Sequence, residues 1–346
     1  MPASALSRRE RFALTVRGEE TDRPPVWIMR QAGRYMPEYM ALRERYSFRD
    51  LCLNPEVSVA ASLLPRDLLD VDILIIFNDI LIPLEEMGLT VEFPGGGPEI
   101  VDPPRDEAAL GRFRAKKFHD PPVAASLRLL RERTGDEFPV LGFAGSPFTL
   151  LGYAVEGKMS RHAHEIRGLM LERPELVHEM LRRLTDTVVS YLVAQVEAGG
   201  AAGVQIFESL GHILPAWEYE QFATVYTRQV IARFREACPD TPVAVYSRGA
   251  AACLEAMDST GADVLSVDWQ LPLAEARRRT ARTLQGNLDP MVMLSPEAVE
   301  PAFERMLDGF DWRRGWIANL GHGITPQAKV EAARRLVDCV KRLAGG

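Results

Sequence analysis

A single closed (β/α)8 TIM barrel, spanning residues 1–346 as one domain, is the fold class predicted for this chain. Three observations predict it: eight short apolar or β-branched segments, a helical segment after most of them, and no linker, repeat or composition break between the halves. An open doubly wound sheet fits the same alternation. It would normally carry a dinucleotide fingerprint or another switch-point loop, and none is present.

The first strand is Pro25 to Met29, apolar without polar alternation and therefore buried on both faces. Arg30 ends it, and Arg34 follows four residues later. A guanidinium fork matches a carboxylate with two parallel hydrogen bonds, so the pair suggests an anion clamp. If Gln31 to Tyr35 is one helical turn, both arginines share a face; Gly33 equally permits a tight loop. Pro37 to Tyr46 and Pro55 to Leu69 read as helices, and Val71 to Phe77 as the second strand, ending at Asn78 and Asp79. Thr90 to Phe93 and Glu99 to Val101 flank PGGGP, which predicts a small inserted hairpin.

A helix at Val123 to Arg133 leads to the third strand, 138–145. Ser146 and Pro147 then make an N-cap and first-turn pair for a helix carrying Phe148, Leu151 and Tyr153. Pro174 opens a long amphipathic helix to about Ala198, which Gly199 to Gly203 stop. Strands VQIFES, PVAVYS, DVLSVDW, RTLQGNL and GWIANLGHG complete the eight, with helices at Trp217 to Ala237, Ala251 to Ser259, Pro296 to Leu307 and Ala328 to Leu343.

The net charge of −7 and the absence of a basic stripe argue against nucleic acid, and leave any acidic substrate to be captured by local positive charge. Cys52, Cys238, Cys253 and Cys339 are scattered, with no C-x-x-C pair, and read as reduced core thiols of a cytoplasmic protein. No apolar run reaches membrane-spanning length. The stretch MPASALSRRERFAL lacks a signal-peptide core, although Arg8, Arg9 and Arg11 also fit an amphipathic targeting helix.

In such a barrel the active site lies at the carboxyl ends of the strands. The polar residues there are Arg30, Asp79, Ser209, Ser247, Arg248, Asp268, Asn287, Asp289, Asn319 and His322, with Tyr153 two helical turns beyond strand three. Taken singly, the aspartates and asparagines also fit loop caps, and His322 a structural histidine. His119, His162, His164 and His178 read as exposed, and His212 has no assigned role.

Six stretches, PVWIMRQAGRYMPEY, IIFNDILIPLEEMG, GFAGSPFTLLGYAVEG, QIFES, QGNLDP and NLGHG, together resemble the uroporphyrinogen decarboxylase family, in order from about residue 7 to 343. The resemblance implies a single barrel, a homodimer with facing clefts, and no metal or cofactor. It also implies removal of the four acetate carboxyls of uroporphyrinogen III, giving coproporphyrinogen III in haem biosynthesis. Carried over by motif, Arg30, Gln31, Ala32, Gly33 and Arg34 would bind substrate, Asp79 would sit at the macrocycle centre, and Tyr153 would reach a reacting acetate. Ser209 would bind substrate and His322 would contact a propionate. Asp79, Arg30 and Tyr153 are the implied catalytic residues, with Arg30 either general acid or holder of the departing carboxylate. Two departures stand out: His212 where a small residue is common, and Arg248 where a lysine is commoner.

A cobalamin- or coenzyme-M-type methyltransferase would share the fold but needs zinc on a His-x-Cys pair and a later Cys, whereas strand five ends Tyr246-Ser247-Arg248. A non-catalytic tetrapyrrole carrier would need the arginines but neither Asp79 nor Tyr153. A sugar-phosphate barrel is less well matched by GNLDP and LGHG.

Overall fold

A computed structural model describes residues 6–94, 98–158 and 162–345. Strands β1 (Leu74–Ile75), β4 (Val140–Gly145), β5 (Gly203–Glu208), β6 (Val243–Ser247), β7 (Val264–Val267), β8 (Thr283–Leu288) and β9 (Trp316–Leu320) form one parallel sheet in that order. A separate antiparallel pair, β2 (Val91–Glu92) and β3 (Glu99–Ile100), is the expected hairpin, whose glycine turn at 95–97 lies outside the described residues.

The eighth barrel position belongs to the segment around Val26. Val26 bridges Ala318 of β9 in parallel, and its carbonyl accepts the Asp72 N–H at 2.8 Å on the other side. The sheet therefore closes into a barrel. Pro24 and Pro25 have no N–H to give, which limits this strand to a single bridge. Period-two alternation sorts its side chains: Trp27 and Met29 join Ile73, Leu141, Ala244, Tyr246 and Ile317 in one apolar cluster, while Val26 and Ile28 join the larger core under the helices.

Phe12 belongs to the inner cluster, and its helix, Arg8–Val16, is anchored at the same end. Asp72, fully buried, accepts two bonds from Arg23 at 2.6 and 2.8 Å and one from the Val26 N–H at 3.0 Å, with Arg11 at 3.5 Å. Arg8 and Arg11 are thus fastened to Asp70, Asp22 and Asp72 rather than spread on an amphipathic surface. Above this floor a polar layer spans the barrel: the Trp27 indole donates to Gln285 Oε1, and Gln285 Nε2 donates to Ser266 and Gln205.

Two expectations needed adjustment. Val71 to Phe77 is paired as a ladder only at Leu74–Ile75, because Asp72 turns to the floor cluster. The helix expected at 217–237 contains a π-helical stretch, Tyr219–Thr224, between α-helical parts. Among the described residues, no helix is long and apolar enough to cross a membrane, and all four cysteines are free and buried.

Candidate active site

The carboxyl end of the Val26 segment presents Arg30 in an unusual way. Its φ is +63°, a left-handed conformation that bulky side chains avoid and that concentrates at functional positions. Gln31 to Tyr35 is a loop, not a helical turn, and the buried Gln31 holds it: Gln31 Oε1 accepts the Ile28 N–H at 3.2 Å, Nε2 donates to the Ile73 carbonyl, and the Gln31 carbonyl accepts from the Tyr35 hydroxyl at 2.8 Å. Ala32 and Gly33 are half-buried, and Arg30 and Arg34 are exposed. A Cβ on Gly323 would stand 2.4 Å from Arg30 Cδ, so the arginine stem lies directly on the Gly323 backbone. Likewise a Cβ on Gly321 would stand 2.3 Å from the Trp269 nitrogen. The two glycines flanking His322 are thereby explained by close approach.

Asp79 follows β1. One carboxylate oxygen accepts the Leu81 N–H at 2.9 Å, while its own N–H donates to Asn78 Oδ1, whose amide is fixed by the Tyr191 hydroxyl. Burial pushes the Asp79 carboxyl above its ordinary value; the Leu81 bond and the Arg30 charge oppose this. Tyr153, on the helix Pro147–Glu156, is half-buried and acidifies less readily than a free tyrosine because of burial, with Arg30, Asp79 and Arg248 all acting on it.

His322, after β9, lies with Nδ1 2.7 Å from the Tyr246 hydroxyl, and the rings stack at 18°. Burial, then Arg30, Arg248 and His212, depress its pKa to about 4, so the imidazole is neutral near pH 7. Ser209 is half-buried, and its N–H donates to Thr149 Oγ1 at 2.9 Å. Partial burial and Arg248 lower His212 as well.

Arg30 is therefore within electrostatic reach of Asp79, Tyr153 and His322, and Arg248 within reach of Tyr153 and His322. Other expected residues are scaffold. Asn287 donates to the Asp268 and Leu271 carbonyls, Asn319 accepts from Met29 and Leu320, and Asp289 caps Met291. Asp268 accepts the Gly249 N–H at 2.6 Å, and Ser247 is fully buried. His178 is not free on a surface: it bonds the Tyr226 hydroxyl and stacks on Phe222.

Sequence reasoning missed two groups. Tyr246 reads as a core strand residue, and nothing local couples it to His322. Glu208 is fully buried at the end of β5, where the hydroxyls of Ser146 and Thr149 each donate at 2.5 Å and the Leu210 N–H at 3.0 Å. Burial raises its carboxyl, and these bonds oppose the rise. It ties two rim loops together. A glutamate inside the apolar run QIFE was the available signal.

The family model described as uroporphyrinogen decarboxylase (URO-D) matches residues 7–343. A protein of Myxococcus xanthus named uroporphyrinogen decarboxylase is 42% identical over 345 residues, covering 96% of each chain. One of the same name from Pelobacter propionicus is 41% identical, covering 96% of this chain and 98% of its own. Among solved structures, a methyltransferase from Methanosarcina mazei superposes with a TM-score of 0.77 at 17% identity, covering 97% of this chain and 99% of that one. That likeness concerns the barrel fold alone. Family match, full-length relatives and barrel together establish that the chain belongs to the uroporphyrinogen decarboxylase family.

Proposed function

We propose that the protein removes the four acetate carboxyls of uroporphyrinogen III as CO₂, giving coproporphyrinogen III in tetrapyrrole biosynthesis. The observation that carries this reading is the Asp79 carboxylate after β1, one oxygen of which makes no bond to a described residue while Arg30 acts on it and Arg30 and Arg248 both act on the neighbouring Tyr153. The four pyrrole N–H groups of a porphyrinogen point inward, and an ionised carboxylate is a pure acceptor able to meet them. Binding supplies donors that favour ionised Asp79, offsetting the effect of burial.

Loss of CO₂ needs a sink for the electron pair of the breaking C–C bond. A proton added to the pyrrole ring makes it iminium-like; the pair flows from the acetate bond into the ring, CO₂ leaves, and the exocyclic carbon takes up a proton while the ring returns its own. Each cycle replaces one carboxylate by one hydrogen. The substrate supplies the sink, so the chemistry asks no cofactor or metal of the protein. Asp79 stabilises the positive charge that develops on the ring. Tyr153 reaches the reacting acetate, and Arg30 holds the departing carboxylate or delivers the proton.

Arg34 clamps a carboxylate arm with the loop Gln31, Ala32 and Gly33, Ser209 offers a hydroxyl, and neutral His322 contacts a propionate, its Nδ1 paired with the Tyr246 hydroxyl, which also reaches the Gly321 carbonyl at 3.3 Å. We further infer one catalytic barrel domain, a homodimer with facing clefts, and a cytoplasmic location, the last supported by the four free cysteines.

Anaerobic incubation of the metal-free protein with uroporphyrinogen III, with carboxyl groups counted on the oxidised products, tests this. Stepwise seven-, six-, five- and four-carboxyl products are expected without additives; tight binding with no CO₂ loss would indicate a carrier.

A further inference from the structure

Of the residues that directly follow the barrel strands, Arg30 and Arg248 are the two cations. Around the barrel the order is Val26 segment, β1, β4, β5, β6, so β6 is four positions from the Val26 segment in a ring of eight. Arg30 and Arg248 thus stand on opposite sides of one mouth. Both act electrostatically on Tyr153, Tyr246 and His322, so the two cations share one set of neighbours.

The Arg248 loop is built rather than loose. The Arg248 N–H donates to the Glu208 carbonyl at 3.1 Å, and the Gly249 N–H to Asp268 Oδ2 at 2.6 Å, so strands on both sides pin it. Gly249 has φ +84°, and a Cβ there would stand 3.1 Å from the His212 backbone, which locks the two rim loops together. Arg248 is half-buried, yet no carboxylate of a described residue lies within ion-pair distance of it, whereas arginines elsewhere such as Arg235 and Arg279 are paired. The carboxylate within charge reach, Asp268, is held by the Gly249 and Gln270 N–H groups, so the half-buried guanidinium has no hydrogen-bonded counter-charge among the described residues, and a carboxylate arriving with a ligand supplies one.

We infer that Arg248 is a second carboxylate anchor, receiving a substrate arm that points away from Arg30 and Arg34, with His212 forming the rim beside it. This rests on the decarboxylase reading only for the identity of the ligand, a cyclic tetrapyrrole whose carboxylate arms radiate in every direction about Asp79. Arg30 and Arg34 serve one side of such a ring. Arg248 serves the other, and its planar fork can take a carboxylate with two bonds where a lysine gives a point charge.

The test uses uroporphyrin III, an octacarboxylate with no turnover, and reads its dissociation constant from fluorescence of the protein's tryptophans; Trp269 lies with its ring 6.4 Å from that of His322. Arg248→Gln is expected to weaken binding about tenfold and to flatten its salt dependence, while Arg248→Lys recovers most of the loss. With uroporphyrinogen III, Arg248→Gln raises KM by a similar factor and leaves kcat within about twofold, since a clamp acts in ground and transition states alike. Unchanged affinity in Arg248→Gln overturns the inference, as does an equal loss in the Lys and Gln variants. Wild-type binding of uroporphyrin without turnover of uroporphyrinogen refutes the decarboxylase reading while leaving the anchor supported by the binding series.

Discussion

The Tyr246 hydroxyl and His322 Nδ1 lie 2.7 Å apart, joining the ends of two strands that are not neighbours in the sheet, β6 and β9. A neutral imidazole has one N–H, and the partner at Nδ1 decides which nitrogen carries it. Tyr246→Phe removes that control. Turnover per active site is expected to fall about tenfold with the melting temperature little changed; an unchanged kcat/KM would show that the tautomer is set elsewhere.

The depressed His322 pKa, about 4, has a consequence for stability. Between that value and the ordinary one near 6.5 the unfolded chain binds a proton that the native chain does not, so stability rises with pH across this window and is lost as pH falls through it. Above about pH 6.5 the group contributes nothing to the slope. Urea unfolding at pH 7 and pH 5 is expected to show a smaller drop for His322→Asn than for the unsubstituted protein; identical drops would mean that His322 titrates normally.

Gly323 supports the Arg30 stem, and a Cβ there would meet Arg30 Cδ at 2.4 Å. Gly323→Ala is expected to displace Arg30 and reduce kcat/KM at least about tenfold, a size typical of misplaced first contacts. Its melting temperature should move little, because an exposed side chain can give way. A large loss of stability with normal kcat/KM would reverse this assignment.

Asp72 holds Arg23, Arg11 and the Val26 N–H together at the amino end, remote from the chemistry. Asp72→Asn leaves the part-buried Arg23 guanidinium without its counter-charge and Arg11 with Asp22 alone, at a cost of about 3 kcal/mol. Denaturant midpoints measure it, and residual folded enzyme should retain the ordinary KM.

Much of the fold was legible because strands buried on both faces read as unbroken apolar runs, and PVAVYS and GWIANL keep that pattern. The short helices Phe48–Leu53, His164–Glu172 and Leu273–Arg279 were not, since each offers too few turns to establish a period. Arg30, Asp79, Tyr153 and His322 stood out as polar groups near strand ends. Tyr246 did not, because its role depends on a residue 76 positions later. Gln31 looks like a ligand group beside two arginines, yet both ends of its amide bond backbone.

The most direct test of the account concerns Asp79, whose second carboxylate oxygen makes no bond to a described residue while the first holds Leu81. Asp79→Asn keeps the shape, replaces a pure acceptor by a group with its own donors, and removes the charge opposite the developing iminium. Anaerobic turnover of uroporphyrinogen III by this variant, with products counted by carboxyl number, is expected to fall at least about a hundredfold while uroporphyrin III binding stays within a few-fold of the unsubstituted protein. Near-normal appearance of the four-carboxyl product from Asp79→Asn would contradict the account.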